Sequence, residues 1–126
     1  MRDYLTRTEI ETSHADQIER YGGAPGIRDQ GQLEAALHRP QTGYYTDIIA
    51  EAAALWESLS QNHPFIDGNK RTALAAAYTF LAINSMRMTA EAEDLWGFLE
   101  AAYSEGSFRF EVLDDWLRRN TETEGQ

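Results

Sequence analysis

The chain contains no cysteine, which excludes disulfides, a thiol nucleophile and a zinc site built on thiolates. No apolar run approaches the ~20 residues that cross a bilayer, and we expect no signal peptide because the first residues turn polar at once. Basic residues are also few, since 11 Lys and Arg face 21 Asp and Glu, for a formal net charge of -10. Such a surface repels the phosphates of nucleic acids and anionic lipids. We therefore expect a cytoplasmic protein that binds neither nucleic acid nor membrane. A basic partner protein suits this acidic surface better than DNA does.

Apolar residues recur at helical spacing through most of the chain, and 126 residues fit one domain. Thr6 and Glu9 have the spacing of a capping box, which marks the start of a helix. Residues 24–31 are bounded by glycine and too short for a helix, so they form a loop or a small hairpin. The polar residues 120–126 are predicted to be a frayed tail. Six helices are predicted. The first runs from Thr6 to the glycines after Tyr21, and the next three cover about 32–37, 45–61 and 69–83. The last two are predicted to be capped by Thr89 and Ser107.

Three tryptophans are predicted to lie in the core, because each falls on or beside an apolar stripe. They are Trp56, Trp96 and Trp116. His14 lies on an apolar helix face and is predicted to be structural, whereas His38 is predicted to be exposed.

The start of the helix predicted from Asn69 carries an unusual concentration of positive charge. The first turn of a helix presents unpaired backbone N–H groups and a partial positive charge. Lys70 and Arg71 add two full charges there, which is unfavourable by up to ~1 kcal/mol unless an anion binds. Gly68 has no side chain to obstruct that anion. These residues predict a phosphate-binding site.

The residues just before this turn supply the remaining parts of a phosphoryl-transfer site. Asp67 places a carboxylate where bound phosphates would share a Mg²⁺ ion. His63 can accept a proton from an attacking hydroxyl group. Phe65 is predicted to anchor the loop to the core. Taken singly, a histidine before proline or an Asp-Gly-Asn turn is ordinary, and it is the coincidence with the two cations that favours an active site.

The run from His63 to Ala73, HPFIDGNKRTA, resembles the signature loop of the Fic/Doc superfamily. A second stretch, Gly26–Pro40, is similar to the region of death-on-curing (Doc) toxins that contains the flap. The resemblance implies an all-α fold: a Fic-type helical bundle, formed by residues 1–126 as one domain, with a small flap or hairpin near residues 24–31.

Two departures from the adenylyltransferase pattern place the chain nearer to the Doc toxins. Fic adenylyltransferases have Gly where this chain has Lys70, and a second Arg where it has Leu74. That second Arg is understood to grip the outer phosphates of ATP. Doc toxins share the Asn-Lys-Arg form and are understood to transfer the γ-phosphate of ATP to a threonine of translation elongation factor Tu, which blocks translation.

The resemblance implies a role for each matching position. His63 corresponds to the catalytic base, Asp67 to the Mg²⁺ ligand, and the four residues Gly68, Asn69, Lys70 and Arg71 to the ATP phosphate site. Arg28 lies in the flap that docks the target, although a solvated loop arginine is an equal reading. The implied partners are the target protein and a cognate antitoxin whose C-terminal helix packs into a groove.

Three alternatives stay open from the sequence. The first is a Fic-type adenylyltransferase that transfers AMP, against which Lys70 and Leu74 argue. The second is an inactive Fic-fold module that only binds protein, against which the intact His63, Asp67 and Asn69 argue. A metal-dependent hydrolase is more distant, because no further ligands are evident near His63.

Overall fold

The computed structural model describes residues 2–124, most of which are helical. Within these residues none of the helices combines the length and the apolar character that crossing a bilayer needs. The predicted all-α fold is confirmed, with one small antiparallel sheet added to it. The elements are α1 (Arg7–Tyr21), α2 (Gln30–His38), a 3₁₀ turn (Arg39–Gln41), α3 (Ile48–Gln61), α4 (Asn69–Ile83), β1 (Met86–Met88), α5 (Ala92–Ser104), α6 (Phe110–Arg119) and β2 (Thr121–Thr123).

Local capping decides where several of these helices begin. The predicted capping box of α1 is present, since the Thr6 hydroxyl accepts from the Glu9 N–H and the Glu9 carboxylate accepts from the Thr6 N–H. Asp29 caps α2, which therefore starts two residues earlier than predicted. Asp47 caps α3 in the same way, three residues later than predicted.

The predicted caps of the last two helices are wrong. The N-cap of α5 is Glu91, since the backbone at Thr89 continues the antiparallel pairing next to β1, with its N–H donating to the carbonyl of Asn120 at 2.7 Å, and the helix starts only after it. The N-cap of α6 is Arg109, two residues after Ser107, and Ser107 belongs to the turn that closes α5, where its N–H donates to the Ala102 carbonyl.

Helix α3 forms the centre of the core. Of residues 49–60 all but Glu57 are buried, and α4 and α6 pack against it. The alanine-rich face of α4 is fully buried, and its short side chains allow α3 to approach closely. A set of aromatic rings closes this core around Trp56, namely Phe98, Phe108 and Trp116.

The prediction for the tryptophans is confirmed for two of them and wrong for the third. Trp56 and Trp116 are 0% and 6% exposed, whereas Trp96 is 59% exposed. Helix α5 buries Leu99 and Ala102, and among the described residues the other helices leave most of the Trp96 side chain exposed. The exposed ring consequently lines an open groove.

The C-terminal segment is ordered by strand pairing, so the prediction of a frayed tail is wrong for β2. Thr121 and Thr123 face Met88 and Met86 in the antiparallel register, and Arg87 forms an ion pair with Glu122. The backbone of a strand needs partners, and the exposed edge of β1 supplies them. The last two residues of the predicted tail, 125 and 126, lie outside the described residues.

Candidate active site

The loop between α3 and α4 is anchored to the protein through Phe65. This ring is 1% exposed and stacks on the His14 ring of α1, with centroids 3.8 Å apart and planes 5° apart. The side chain of Asn69 bonds both backbone groups of Phe65, accepting from its N–H at 2.9 Å and donating to its carbonyl at 3.0 Å. The predicted anchor is therefore buried, and the first residue of α4 closes the loop around it.

His14 holds the same loop at a second point. Its Nε2 lies 2.8 Å from the carbonyl oxygen of Asp67. A carbonyl only accepts hydrogen bonds, so Nε2 must carry the proton of this contact. His14 is 4% exposed, and both its ring face and its Nε2 contact the loop, which confirms its predicted structural role.

The segment before α2 is a loop, one of the two predicted alternatives, and it pairs with the active-site loop. A single antiparallel bridge joins Ile27 to Phe65. The Ile66 N–H donates to the Gly26 carbonyl at 3.0 Å, and the Arg28 N–H donates to the Pro64 carbonyl at 2.8 Å. The residues around Ile27 thus pair with the loop between α3 and α4 through one bridge and the hydrogen bonds beside it.

Arg28 contacts the loop with its side chain as well. Its guanidinium donates to the carbonyls of His63 at 2.6 Å and Asn62 at 2.9 Å. In this structure Arg28 clamps the turn from which the His63 side chain projects. His63 itself is exposed and has a φ of 49°, a left-handed conformation that is uncommon outside glycine. A role of Arg28 in docking the target stays a prediction.

Asp67 is held as a carboxylate by two backbone donors. The Ala24 N–H donates to Oδ2 at 3.2 Å and the Gly68 N–H donates to Oδ1 at 2.9 Å. These hydrogen bonds, with a smaller contribution from Arg71, lower the pKa of Asp67. A carboxylate has about four lone-pair positions, so both oxygens retain capacity for a cation. Gly23 permits this approach, because a Cβ on it would lie 2.8 Å from Oδ2.

The two cations at the start of α4 have different surroundings. Gly68, with a φ of 74°, is the N-cap and provides no side-chain cap to the first turn. Arg71 turns toward α1, donating to the carbonyls of Gly22 at 2.9 Å and Gln17 at 3.3 Å. The ammonium of Lys70 instead lies over the ring of Tyr103, 4.2 Å from the centroid.

Two neighbouring cavities open at this point. A pocket of about 410 Å³ has His63, Lys70 and Tyr103 among its lining residues. A larger groove of about 990 Å³ runs from Lys70 and Arg71 along α4 and α5. Apart from its polar end the groove is lined mostly by apolar and aromatic side chains, among them Leu74, Tyr78, Leu95 and Trp96.

The structure brings most of the predicted site together. His63 and Lys70 share the small pocket, and Lys70 and Arg71 share one end of the groove. Asp67 flanks Gly68 on the side facing Gly23 and Ala24, and it lines neither cavity. The part of the chain that the structure describes contains no group of three or more acidic, His or Cys side chains able to hold a metal.

Comparison with known proteins identifies the family. Residues 4–81, which include the whole loop from His63 to Arg71, match the model of the Fic/DOC family. The chain belongs to the Fic/DOC family. A Fic/DOC relative called "Toxin Doc", from Mycolicibacterium smegmatis, is 45% identical over 105 residues, which cover 75% of this chain and 78% of the relative. A second, "Protein kinase doc" of Escherichia phage P1, is 32% identical over 120 residues, which cover 92% and 94%.

Sequence reasoning missed the residues that come to the site from distant helices. Tyr103 and Trp96 belong to α5, and Gln17 and Tyr21 belong to the end of α1. Their spacing carries no sign of a site, because each looks like an ordinary helical residue until the helices are packed. The Gly22-Gly23 pair after Tyr21 was the one available signal, since consecutive glycines permit close backbone approach.

Proposed function

We propose that this protein is a Doc-type toxin, a protein kinase that transfers the γ-phosphate of ATP to a threonine of elongation factor Tu and so inhibits translation. The observation that carries the proposal is the shared pocket of His63 and Lys70 beside the uncapped N-terminus of α4. A proton acceptor and an anion site at one opening are what phosphoryl transfer to a hydroxyl group requires. Membership of the Fic/DOC family and the two Doc relatives support the same reaction.

In the proposed reaction His63 accepts the proton of the target hydroxyl group while the oxygen of that hydroxyl group attacks the γ-phosphorus. The bond between the γ-phosphorus and the bridging oxygen breaks, and ADP leaves with that oxygen. The N–H groups of the first turn of α4 and the Lys70 ammonium neutralise the negative charge on the phosphates. Arg71, fixed to the end of α1, adds positive charge behind Gly68.

The residues present fit a bound Mg²⁺ ion. Asp67 lies beside Gly68, outside both cavities, so it would hold the ion at the edge of the phosphate site through one carboxylate kept ionised by two backbone donors. The phosphates of ATP and water would complete the ligand set. When bound, Mg²⁺ offsets charge on the phosphates and orients them. A single protein carboxylate suits this ion, which prefers substrate oxygens and water to an all-protein cage.

The surroundings of Leu74 favour phosphate transfer over AMP transfer. This side chain occupies the position of the second Arg of Fic adenylyltransferases and lines the apolar part of the groove. Lys70 and Arg71 supply the positive charge of the groove, and both lie at its loop end. A triphosphate that extended along α4 would meet no basic side chain among the lining residues beyond that end. A γ-phosphate placed at the loop would instead lie close to Lys70 and Arg71.

The groove also suits the antitoxin that a Doc toxin requires. Tyr78 and Trp96 are 55% and 59% exposed and line the same groove, and an exposed apolar patch of this kind is typical of a helix-binding surface. A helix seated there would cover Lys70 and Arg71 at the end of the groove. Neutralisation would then follow from exclusion of ATP from the phosphate site.

Label transfer from ATP tests the proposed reaction. We expect elongation factor Tu to become labelled by γ-³²P-ATP and to remain unlabelled by α-³²P-ATP. His63→Ala should abolish the transfer, and the matched variant His38→Ala should not, because His38 is an exposed helix residue paired with Glu34. Transfer of the α label would identify an adenylyltransferase instead, and equal activity of the two variants would exclude His63 as the base.

A further inference from the structure

Tyr103 is held in one orientation by contacts that do not involve the loop. Its hydroxyl lies 2.8 Å from the hydroxyl of Ser60, a residue of α3 that is 2% exposed. One face of its ring stacks on Phe108, with centroids 4.3 Å apart and planes 10° apart. Phe108 in turn packs against the buried Trp56. The ring is therefore a fixed part of the core that reaches the wall of the site.

The free face of this ring is occupied by the ammonium of Lys70, 4.2 Å from the centroid. A cation at this distance is attracted by the negative charge density of an aromatic face. Lys70 is the single lysine of the chain, against ten arginines. Both cavities are lined by the pair Lys70 and Tyr103, so the ring fixes the ammonium at the boundary between the His63 pocket and the groove.

We propose that Tyr103 is the positioning residue for Lys70, holding its ammonium where it meets the outer phosphates of ATP. This inference rests on the proposed kinase function. A free lysine has four rotatable bonds and loses much entropy when it is fixed, so a preformed seat on the ring lowers the cost of contacting phosphate. The alternative role of Tyr103, a surface on which the adenine base stacks, needs a free ring face, and Phe108 and Lys70 occupy both faces.

The position of the lysine can be read directly by NMR. Because the chain has one lysine, growth with ¹³C-lysine labels Lys70 alone. The ε protons should be shifted upfield by the ring current of Tyr103, and Tyr103→Leu should move them to the value of an exposed lysine. Tyr103→Phe keeps the ring and should retain the upfield shift, and Tyr44→Leu, at an 81% exposed tyrosine, is the control. Unchanged ε signals in Tyr103→Leu would overturn the proposal.

The consequence for the nucleotide is measured by titration calorimetry with ATP and Mg²⁺. Tyr103→Leu should weaken ATP binding roughly 3- to 10-fold, the range expected for loss of a cation–π contact. In the background Lys70→Met the same substitution should have no further effect, since Tyr103 acts through the lysine. A merely structural role would give additive losses in the double variant, and that result would refute the proposal. If the wild-type protein binds ATP but labels no target, the proposed kinase function fails, whereas the calorimetric evidence that Tyr103 positions Lys70 for ATP binding still holds.

Discussion

Replacing Asn69 by alanine separates the geometry of the active-site loop from the stability of the fold. The Asn69 side chain makes two hydrogen bonds, at 2.9 and 3.0 Å, to the N–H and the carbonyl of the buried Phe65. Each such bond contributes about 0.5–1.5 kcal/mol, so Asn69→Ala should lower the free energy of unfolding by about 1–3 kcal/mol. For a domain of this size that corresponds to a fall in Tm of roughly 4 °C per kcal/mol.

The effect on activity should be larger than the effect on stability. Without these two bonds the loop that carries His63 is no longer closed against α4. A displacement of about 1 Å in a reacting group costs on the order of 100-fold in rate. Label transfer from γ-³²P-ATP, measured well below the Tm of the variant, should therefore fall by about 100-fold.

Asn84 provides a matched control at the other end of the same helix. Its side chain bonds the backbone of Asp3 twice, at 2.8 Å each, and the carbonyl of Phe80 at 2.8 Å. Asn84→Ala should cost at least as much stability while leaving label transfer intact. Retained activity in Asn69→Ala, or an equal loss in both variants, would refute the argument that Asn69 acts through the loop.

Three further predictions follow from burial, close approach and ionisation. Trp56→Ala should lower the free energy of unfolding by about 3–5 kcal/mol in urea titrations, whereas Trp96→Ala should change it by less than about 0.5 kcal/mol, and equal effects would contradict the observed burial. Gly23→Ala and Gly22→Ala both add strain at a positive φ, but only the Cβ of Gly23→Ala collides with Asp67. Gly23→Ala alone should therefore raise the Mg²⁺ concentration needed for half-maximal activity, and the same rise in both variants would refute the clash. Burial raises the pKa of Tyr103 to about 12, so the neutral phenol contributes stability that is complete below pH 10 and lost as the pH rises toward 12. Absorbance at 295 nm should show this late ionisation, and its survival in Tyr103→Phe would assign it to another tyrosine.

Sequence reasoning succeeded where structure is decided by neighbouring residues. Helix α4 begins at Asn69 and ends at Ile83 as predicted, because Gly68 ends the loop as the N-cap and the helical spacing of apolar residues continues from there to Ile83. The capping box at Thr6 involves two residues three positions apart and was readable for the same reason. The segment from His63 to Arg71 could be singled out as a candidate site because all of its parts are adjacent in the chain.

Contacts between distant segments were decided only by the packed structure. Thr89 has the side chain of a cap, but its backbone extends the pairing with the C-terminal segment through Asn120, and α5 starts only after Glu91. Trp96 carries the apolar character of a core residue, and whether a helix covers it depends on elements far away in sequence. Arg71 was predicted to contact a phosphate, which stays a prediction, and only the packed structure shows that the carbonyls of Gln17 and Gly22 also hold its guanidinium.

The sequence by itself determined the helices, the loop and the residue types of the site, because hydrogen bonds within a helix and the spacing of apolar residues are local properties. Only the tertiary structure decided which side chains complete that site. Lys70 and Tyr103 are 33 positions apart, and their contact exists because α3, α4 and α5 pack around Trp56 and its aromatic neighbours. Such an arrangement depends on the shapes of many side chains at once, and no short stretch of the chain encodes it.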